Sequence, residues 1–247
     1  MRRFFTEPAY IDKNSARIIE DAEHITKVLR MKPGDKILLF DGTGYEYEAV
    51  LTNIDRKECQ AEILEKYHTD LEPQVQVTVF QGLPKSGKME TIIQKAVELG
   101  VYNIVPMITE RCIAKIEADK KAEEKTKRWN RVALEAAKQC GRGRVPRVLS
   151  PMLFSDAVQK AAEWELALMP YEMLGHQGDT SLKNILQSVS AIKISILIGP
   201  EGGFSDAEAR QAQQAGIVLT GLGKRILRTE TVSGAMLSII MYEKNEM

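Results

Sequence analysis

The sequence predicts an α/β protein in which a small β-rich segment precedes a larger, mostly parallel sheet covered by helices. Three observations carry that prediction. Up to about residue 72, short apolar stretches alternate in period two between glycine turns, as in a small barrel. From about residue 75, β-branched runs alternate with amphipathic helical stretches, the pattern of parallel strands joined by crossover helices. Two glycine-bearing segments, 198–205 and 221–234, each follow an apolar run. Loops of that kind after neighbouring strands line the ligand crevice of open α/β sheets.

In the first segment, Ile25, Val28 and Leu29 fall at i, i+3 and i+4 and predict a short helix within 15–30, stopped by Lys32-Pro-Gly-Asp35. His24 beside Ile25 reads as a packed residue. Strands are expected at 37–40, 45–51 and 59–64, with a turn at Asp41-Gly-Thr-Gly44 and with Tyr45, Tyr47, Ala49 and Leu51 on one core face. Past 73, the pattern gives a strand at 75–80 and a helix at 89–99 that buries Met89, Ile92, Ile93, Ala96 and Val97 before Gly100. A strand at 104–108 and a helix at 119–140 follow, the helix burying Trp129, Val132, Ala133, Ala136 and Cys140. Further strands are expected at 147–149, 166–169 and 194–198, with helices from about 156 and at 182–189. Ser205 and Glu208 form the S-x-x-E signature of a helix cap. A last helix turns Val232, Ala235, Met236, Ile239 and Ile240 inward. The domain boundary falls near residue 72, giving domains 1–72 and 73–247.

With 247 residues, 44% hydrophobic and 28% charged, and no low-complexity run, the composition is that of a globular protein. The apolar stretches are too short for a membrane span and the start lacks a signal-peptide core, so a cytoplasmic location is expected. Cys59, Cys112 and Cys140 form no C-x-x-C pair, and His24, His68 and His176 are scattered. Neither a disulfide framework nor a metal site is expected. The 34 basic and 34 acidic residues are unevenly placed. Residues 1–72 hold 11 basic and 15 acidic side chains, whereas 125–147 hold eight basic residues (Lys125, Lys127, Arg128, Arg131, Lys138, Arg142, Arg144 and Arg147) against Glu135 alone. Such a run is either a solvated helix face or a surface for a polyanion, and the second predicts salt-dependent binding.

The segment Ile198-Gly-Pro-Glu-Gly-Gly-Phe-Ser205 lacks the lysine of a Walker A loop and does not match G-x-G-x-x-G. Glu201 stands where a phosphate would sit, which disfavours nucleotide triphosphates and dinucleotides. In the second segment, Leu222, Ile226 and Leu227 can wall a flat aromatic base whose edge bonds the backbone beside Gly223. Arg225 and Arg228 are fixed positive charges suited to holding phosphate or a developing oxyanion. Glu230 can pair with one of them, accept a proton, or complement the start of the last helix.

Beyond these loops, the Arg-Phe-Phe start, the run His24-Ile-Thr-Lys-Val-Leu-Arg-Met-Lys-Pro-Gly-Asp35, Lys95-Ala-Val-Glu-Leu-Gly100 and Glu135-Ala-Ala-Lys-Gln-Cys-Gly-Arg142 complete a pattern spanning essentially the whole chain. The chain resembles the RsmE family of 16S ribosomal RNA (uridine-N3) methyltransferases, of the SPOUT superfamily. It departs at Val232, where the family often carries a smaller residue. The resemblance implies a PUA-like β-barrel RNA-binding domain and a SPOUT-type, mostly parallel sheet ending in a trefoil knot. It implies S-adenosylmethionine held by Leu168, Met169 and Pro170, by Ile198, Gly199, Pro200, Glu201 and Gly203, and by Leu222, Gly223, Ile226 and Leu227. It also implies catalysis by Arg228 and Glu230, RNA contacts from Arg2, Arg3, Arg30, Arg142, Arg144, Arg147 and Arg225, and a homodimer without metal that acts on 16S rRNA in the small ribosomal subunit. Two other activities fit the same sequence. A ribose 2′-O-methyltransferase would share the cofactor loops, and a non-catalytic ribosome-assembly factor would bind RNA without the cofactor.

Overall fold

The computed structural model describes residues 1–85, 87–113, 119–172 and 181–247; His176 lies outside the described residues. The chain forms two compact units, residues 1–72 with 137–145 and residues 73–136 with 146–247. The boundary is therefore not one cut near residue 72. The stretch 137–145 joins the first unit through backbone bonds from Val145 to the Gly42 carbonyl (3.0 Å) and from Gly44 to the Gly143 carbonyl (3.2 Å). A side chain at Gly143 would place its Cβ 2.6 Å from Thr69 Cγ2.

In the first unit, β1 (Arg2–Phe5), β2 (Ser15–Ile18), β3 (Lys36–Phe40), β4 (Tyr45–Ile54) and β5 (Cys59–His68) make a five-stranded sheet in the order β1-β3-β4-β5-β2. The β1/β3 pair is parallel and the others are antiparallel. Register shifts in the β4/β5 ladder at Glu48/Ala49 and Leu51/Asn53 mark irregularities of the kind that bend a sheet. The outer strands meet through a side chain rather than a ladder, the Thr6 hydroxyl donating to the Arg17 carbonyl at 2.5 Å. Phe4, Ile18, Ile25, Ile37, Leu39, Tyr47, Ala49 and Leu51 fill the interior.

Two expectations fail here for local reasons. Tyr45 starts its strand and is 39% exposed, with the Lys66 ammonium 3.9 Å over its ring and His68 edge-on to it; the core face begins at Tyr47. His24–Val28 is a π-helical turn closed by the Leu29 amide on the His24 carbonyl. With more residues per turn than an α-helix, it leaves His24 and Val28 facing solvent, Val28 being 66% exposed, and keeps Ile25 buried.

The second unit contains β6 (Gln76–Gly82), α1 (Lys88–Glu98), β7 (Asn103–Ile108), α2 (Asp119–Cys140, whose last residues belong to the first unit), β8 (Arg147–Val148), β9 (Met152–Leu153), α3 (Phe154–Ala162), β10 (Leu166–Pro170), α4 (Leu182–Ser188), β11 (Lys193–Ile198), α5 (Asp206–Gln214), β12 (Val218–Thr220) and α6 (Thr229–Glu243). Strand order is β12-β10-β11-β6-β7-β8, with β9 also on β7, and every pairing is parallel. All five predicted apolar residues of α1 are buried. On α2, Trp129, Ala133 and Ala136 are buried, whereas Val132 and Cys140 are half-buried.

Helix α6 sits differently from its predicted orientation. Thr229, Ser233, Met236, Leu237, Ile240 and Met241 point inward, while Val232 and Ala235 are half-buried, Ile239 is 36% exposed and Tyr242 72%. A helix apolar on nearly every side gives periodicity no single face to choose. Among the described residues, no helix is long and apolar enough to cross a membrane.

Candidate active site

Three adjacent parallel strands, β12, β10 and β11, end side by side at Thr220, Pro170 and Ile198. The segments leaving them surround a cavity of about 370 Å³, within the usual size of small-molecule sites. Its wall takes Pro170, Tyr171 and Glu172 from the first exit, 198–201, Gly203 and Phe204 from the second, and 221–228 from the third, with Thr229, Val232 and Lys88 completing it. The two glycine segments therefore share one crevice.

Close backbone approach explains the glycines after β11. A Cβ on Gly199 would lie 3.0 Å from the Gly203 carbonyl carbon and 3.1 Å from its Cα. One on Gly82, at the end of β6, would lie 2.7 Å from the Pro200 nitrogen and Cδ. Gly203, with φ +66, takes a backbone that other residues rarely adopt. The loop then enters α5 through the predicted capping box. The Ser205 amide donates to Glu208 (2.9 Å) and the Glu208 amide to the Ser205 hydroxyl (3.3 Å), an arrangement that stabilises a helix start by about 1 kcal/mol.

A buried polar chain ties this loop to the start of α6. The Thr229 hydroxyl donates to the Gly199 carbonyl at 2.7 Å and accepts from Gln81 Nε2 at 2.9 Å. The preceding residue, Arg228, occupies the N-cap position of α6 with an extended backbone, and its exposed side chain belongs to the cavity wall. Glu230, the second residue of α6, pairs with Lys88 of α1 at 3.3 Å, not with either predicted arginine. Lys88 also holds Glu201 at 3.3 Å. Its own backbone amide, then Lys88 and Arg228, keep the Glu230 carboxyl below the usual carboxylate range. A carboxylate so held is a weaker proton acceptor than an ordinary one. At the other rim, the Tyr171 hydroxyl donates to Asp206 at 2.6 Å, which pushes the phenol pKa up.

The predicted cofactor residues do not all reach this cavity. Leu168 and Met169 are fully buried in the sheet, and of their strand only Pro170 lines the wall. Ile226 lines it but is 85% exposed, so the half-buried Leu222 and Leu227 are the enclosed apolar walls of that loop. Gln81, Gly82, Lys88, Tyr171, Glu172 and Thr229 were not singled out by sequence.

The predicted basic surface divides as well. In the first unit, Arg142 is 5% exposed and its guanidinium is held by Glu72 at 2.7 Å, while the Arg144 amide donates to the same carboxylate. Arg3 pairs with Glu46 at 2.8 Å and stacks over Phe40 at 3.7 Å. Lys138 pairs with Asp21, and Arg2 and Arg30 are exposed. In the second unit, Lys127 pairs with Glu123 and Arg128 with Glu90. Lys125, Arg131 and Arg147 are exposed and show no ion pair among the described residues, and Arg225 is exposed on the cavity rim. Counting the acids within 125–147 missed partners that the fold brings from elsewhere.

Comparison with known proteins gives this geometry a family. A model described as an RNA methyltransferase domain matches residues 71–241, and one described as an RNA methyltransferase PUA domain matches residues 20–64. The chain is 36% identical over 226 residues to ribosomal RNA small subunit methyltransferase E of Bacillus subtilis (strain 168), covering 91% of this chain and 88% of that protein. Among solved structures, a ribosomal RNA small subunit methyltransferase E from Neisseria gonorrhoeae bound to S-adenosyl methionine superposes with a TM-score of 0.84 at 33% identity, covering 98% of this chain and 97% of that one. A putative methyltransferase from Legionella pneumophila, in complex with the bound cofactor SAM, also gives 0.84, at 30% identity and with 97% and 96% coverage. A crevice of glycine loops at parallel strand ends, in a chain this similar throughout, leads to one assignment: the protein belongs to the ribosomal RNA small subunit methyltransferase E family of RNA methyltransferases.

Proposed function

We propose that the protein transfers a methyl group from S-adenosylmethionine to N3 of one uridine in 16S ribosomal RNA of the small ribosomal subunit, acting in the cytoplasm. The observation that carries this reading is the shared cavity formed by 170–172, 198–201, 203–204 and 221–229, with apolar walls and charges of both signs. That donor set suits the cofactor: Leu222, Leu227 and Ile198 would offer apolar surface to adenine, the backbone beside Gly223 could bond its edge, and the Glu172 and Glu201 carboxylates would suit its ammonium and sulfonium charges. When bound, the cofactor supplies an electrophilic methyl group. The protein's part is to orient the uracil, favour loss of its N3 proton and stabilise the charge left on the flanking oxygens, which is the role read for Arg228. Calorimetry tests the site. Gly199→Val should lower S-adenosylmethionine affinity about tenfold or more, because its side chain displaces 199–203. Unchanged affinity in a folded variant would refute the assignment.

The SPOUT trefoil knot belongs to the same reading. In its support, β12 lies beside β10 rather than β11, and the chain after 221–228 returns so that Thr229 bonds the Gly199 carbonyl. The exposed Ile239 and Tyr242 on α6, beside the half-buried Ala235, support a homodimer. Sedimentation equilibrium should give a dimer at micromolar concentration, shifted to monomer by Ile239→Glu. A wild-type monomer would contradict it.

RNA affinity is assigned to the exposed cations that show no ion pair among the described residues. Neutralising Lys125, Arg131 and Arg147 together should flatten the salt dependence of RNA binding by roughly two to three log–log units and leave cofactor affinity unchanged. Identical salt slopes would show these side chains to be a solvated face.

A further inference from the structure

We propose that Lys88 is a positioning residue of this site, an ammonium clamp that holds the loop after β11 and the first turn of α6 in one arrangement and thereby places Arg228. The inference rests on the methyltransferase reading for its kinetic consequence and on geometry for its structural one. Lys88 Nζ lies 3.3 Å from a Glu201 oxygen and 3.3 Å from a Glu230 oxygen. Those carboxylates belong to the two segments that wall the cavity. Glu201 is fixed further by the Lys85 amide, which donates to both of its oxygens at 3.1 and 3.2 Å. One side chain therefore connects the α1 entry, the 199–203 loop and the start of α6.

The position of Lys88 is unfavourable on local grounds. It is the first residue of α1, where the helix dipole disfavours a cation, and the preceding Gly87 supplies no side-chain cap. The two carboxylates supply the compensation. They are also the reason the clamp matters, because without the ammonium two like charges face each other across the cavity edge and push the loop and α6 apart. Arg228 and Glu230 flank Thr229, so a displaced Glu230 carries Arg228 with it.

The titration of the three groups agrees. The hydrogen bond to Glu230, and after it that to Glu201, raises the Lys88 pKa. For Glu201, burial pushes the carboxyl up, but its own amide, the Lys85 amide and Lys88 outweigh it and hold the group low. Depressed carboxylates stabilise the fold above their ordinary range and lose that share as pH falls through the depressed values. A raised lysine contributes until pH climbs through its raised value. The clamp is thus intact throughout the neutral range.

The test compares Lys88→Met, Lys88→Arg and the double variant Lys88→Met/Glu201→Gln in the full chain. Hydrogen exchange on the protein alone should show faster exchange at 199–203 and 229–232 in Lys88→Met and near wild-type exchange in Lys88→Arg. Single-turnover methylation of small subunits at saturating cofactor and neutral pH should slow about tenfold or more in Lys88→Met, and recover in part as pH falls and one of the opposed carboxylates takes up a proton. The double variant should recover part of the rate, because one of the opposed charges is gone. Wild-type exchange and rate in Lys88→Met would overturn the clamp, as would equal losses in Lys88→Met and Lys88→Arg without rescue in the double variant. A wild-type protein that transfers no methyl group would instead defeat the methyltransferase reading, while hydrogen exchange would still decide the clamp.

Discussion

Replacing Arg228 with alanine is expected to slow single-turnover methyl transfer about 100- to 1000-fold while cofactor affinity changes little, the loss typical of removing one preorganised charge from a developing anion. Uracil N3 is a poor nucleophile until it loses its proton, and the charge then spreads onto the neighbouring oxygens. A guanidinium cannot be deprotonated at working pH, so it favours the charged form at every pH the enzyme meets. Arg228 is suited to this because its side chain is exposed on the cavity wall while its backbone is fixed as the N-cap of α6, next to the Thr229 anchor. Glu230→Gln should cost much less, because that carboxylate is tied to Lys88 and its depressed pKa makes it an orienting group rather than a base. A wild-type rate in the Arg228 variant would remove the residue from the mechanism.

Arg142→Ala should destabilise the first unit by about 3–5 kcal/mol, and the loss should appear in thermal unfolding before any effect on RNA. Only 6% of the Arg142 side chain and 14% of its Glu72 partner are exposed, and the guanidinium meets that carboxylate through both Nε and Nη2. Removing the cation takes from a largely buried carboxylate the guanidinium that holds it at 2.7 Å, and the Arg144 amide that also donates to it carries no charge. Arg142 also accepts a bond from Arg3 through its carbonyl at 2.8 Å, so the backbone there joins 137–145 to the first strand. Arg142→Ala/Glu72→Gln should recover part of the stability. A single variant that unfolds like wild type but binds RNA weakly would return Arg142 to the RNA-contact surface.

The two residues show what the sequence could and could not say. The elements of the second unit were legible because its central strands are continuous apolar runs buried on both faces, while α1 buries one face with five inward residues. The two glycine loops were legible because a missing side chain is a local statement, and the Ser205/Glu208 cap spans four residues. Ion pairing is not local. Lys88 meets Glu230 across 142 positions and Arg142 meets Glu72 across 70, so neither partner was visible and a paired arginine looked like free positive charge. Gly82 was missed for the same reason, since the Pro200 that forbids its side chain arrives from a neighbouring strand. The face of α6 was misjudged because Val232, Ala235 and Ile239 are as apolar as the Met236, Leu237 and Ile240 that it buries.

Transfer of a methyl group to a uracil nitrogen at the crevice formed by the ends of β10, β11 and β12 is tested most directly on the RNA itself. Small ribosomal subunits lacking the modification can be incubated with the protein and isotopically labelled S-adenosylmethionine, and the RNA then digested to nucleosides for mass spectrometry. Label is expected in 3-methyluridine from 16S rRNA, and much less of it when the Gly199→Val protein is used at the same subsaturating cofactor concentration. Label in a 2′-O-methylated nucleoside, or no label from wild-type protein, would contradict it.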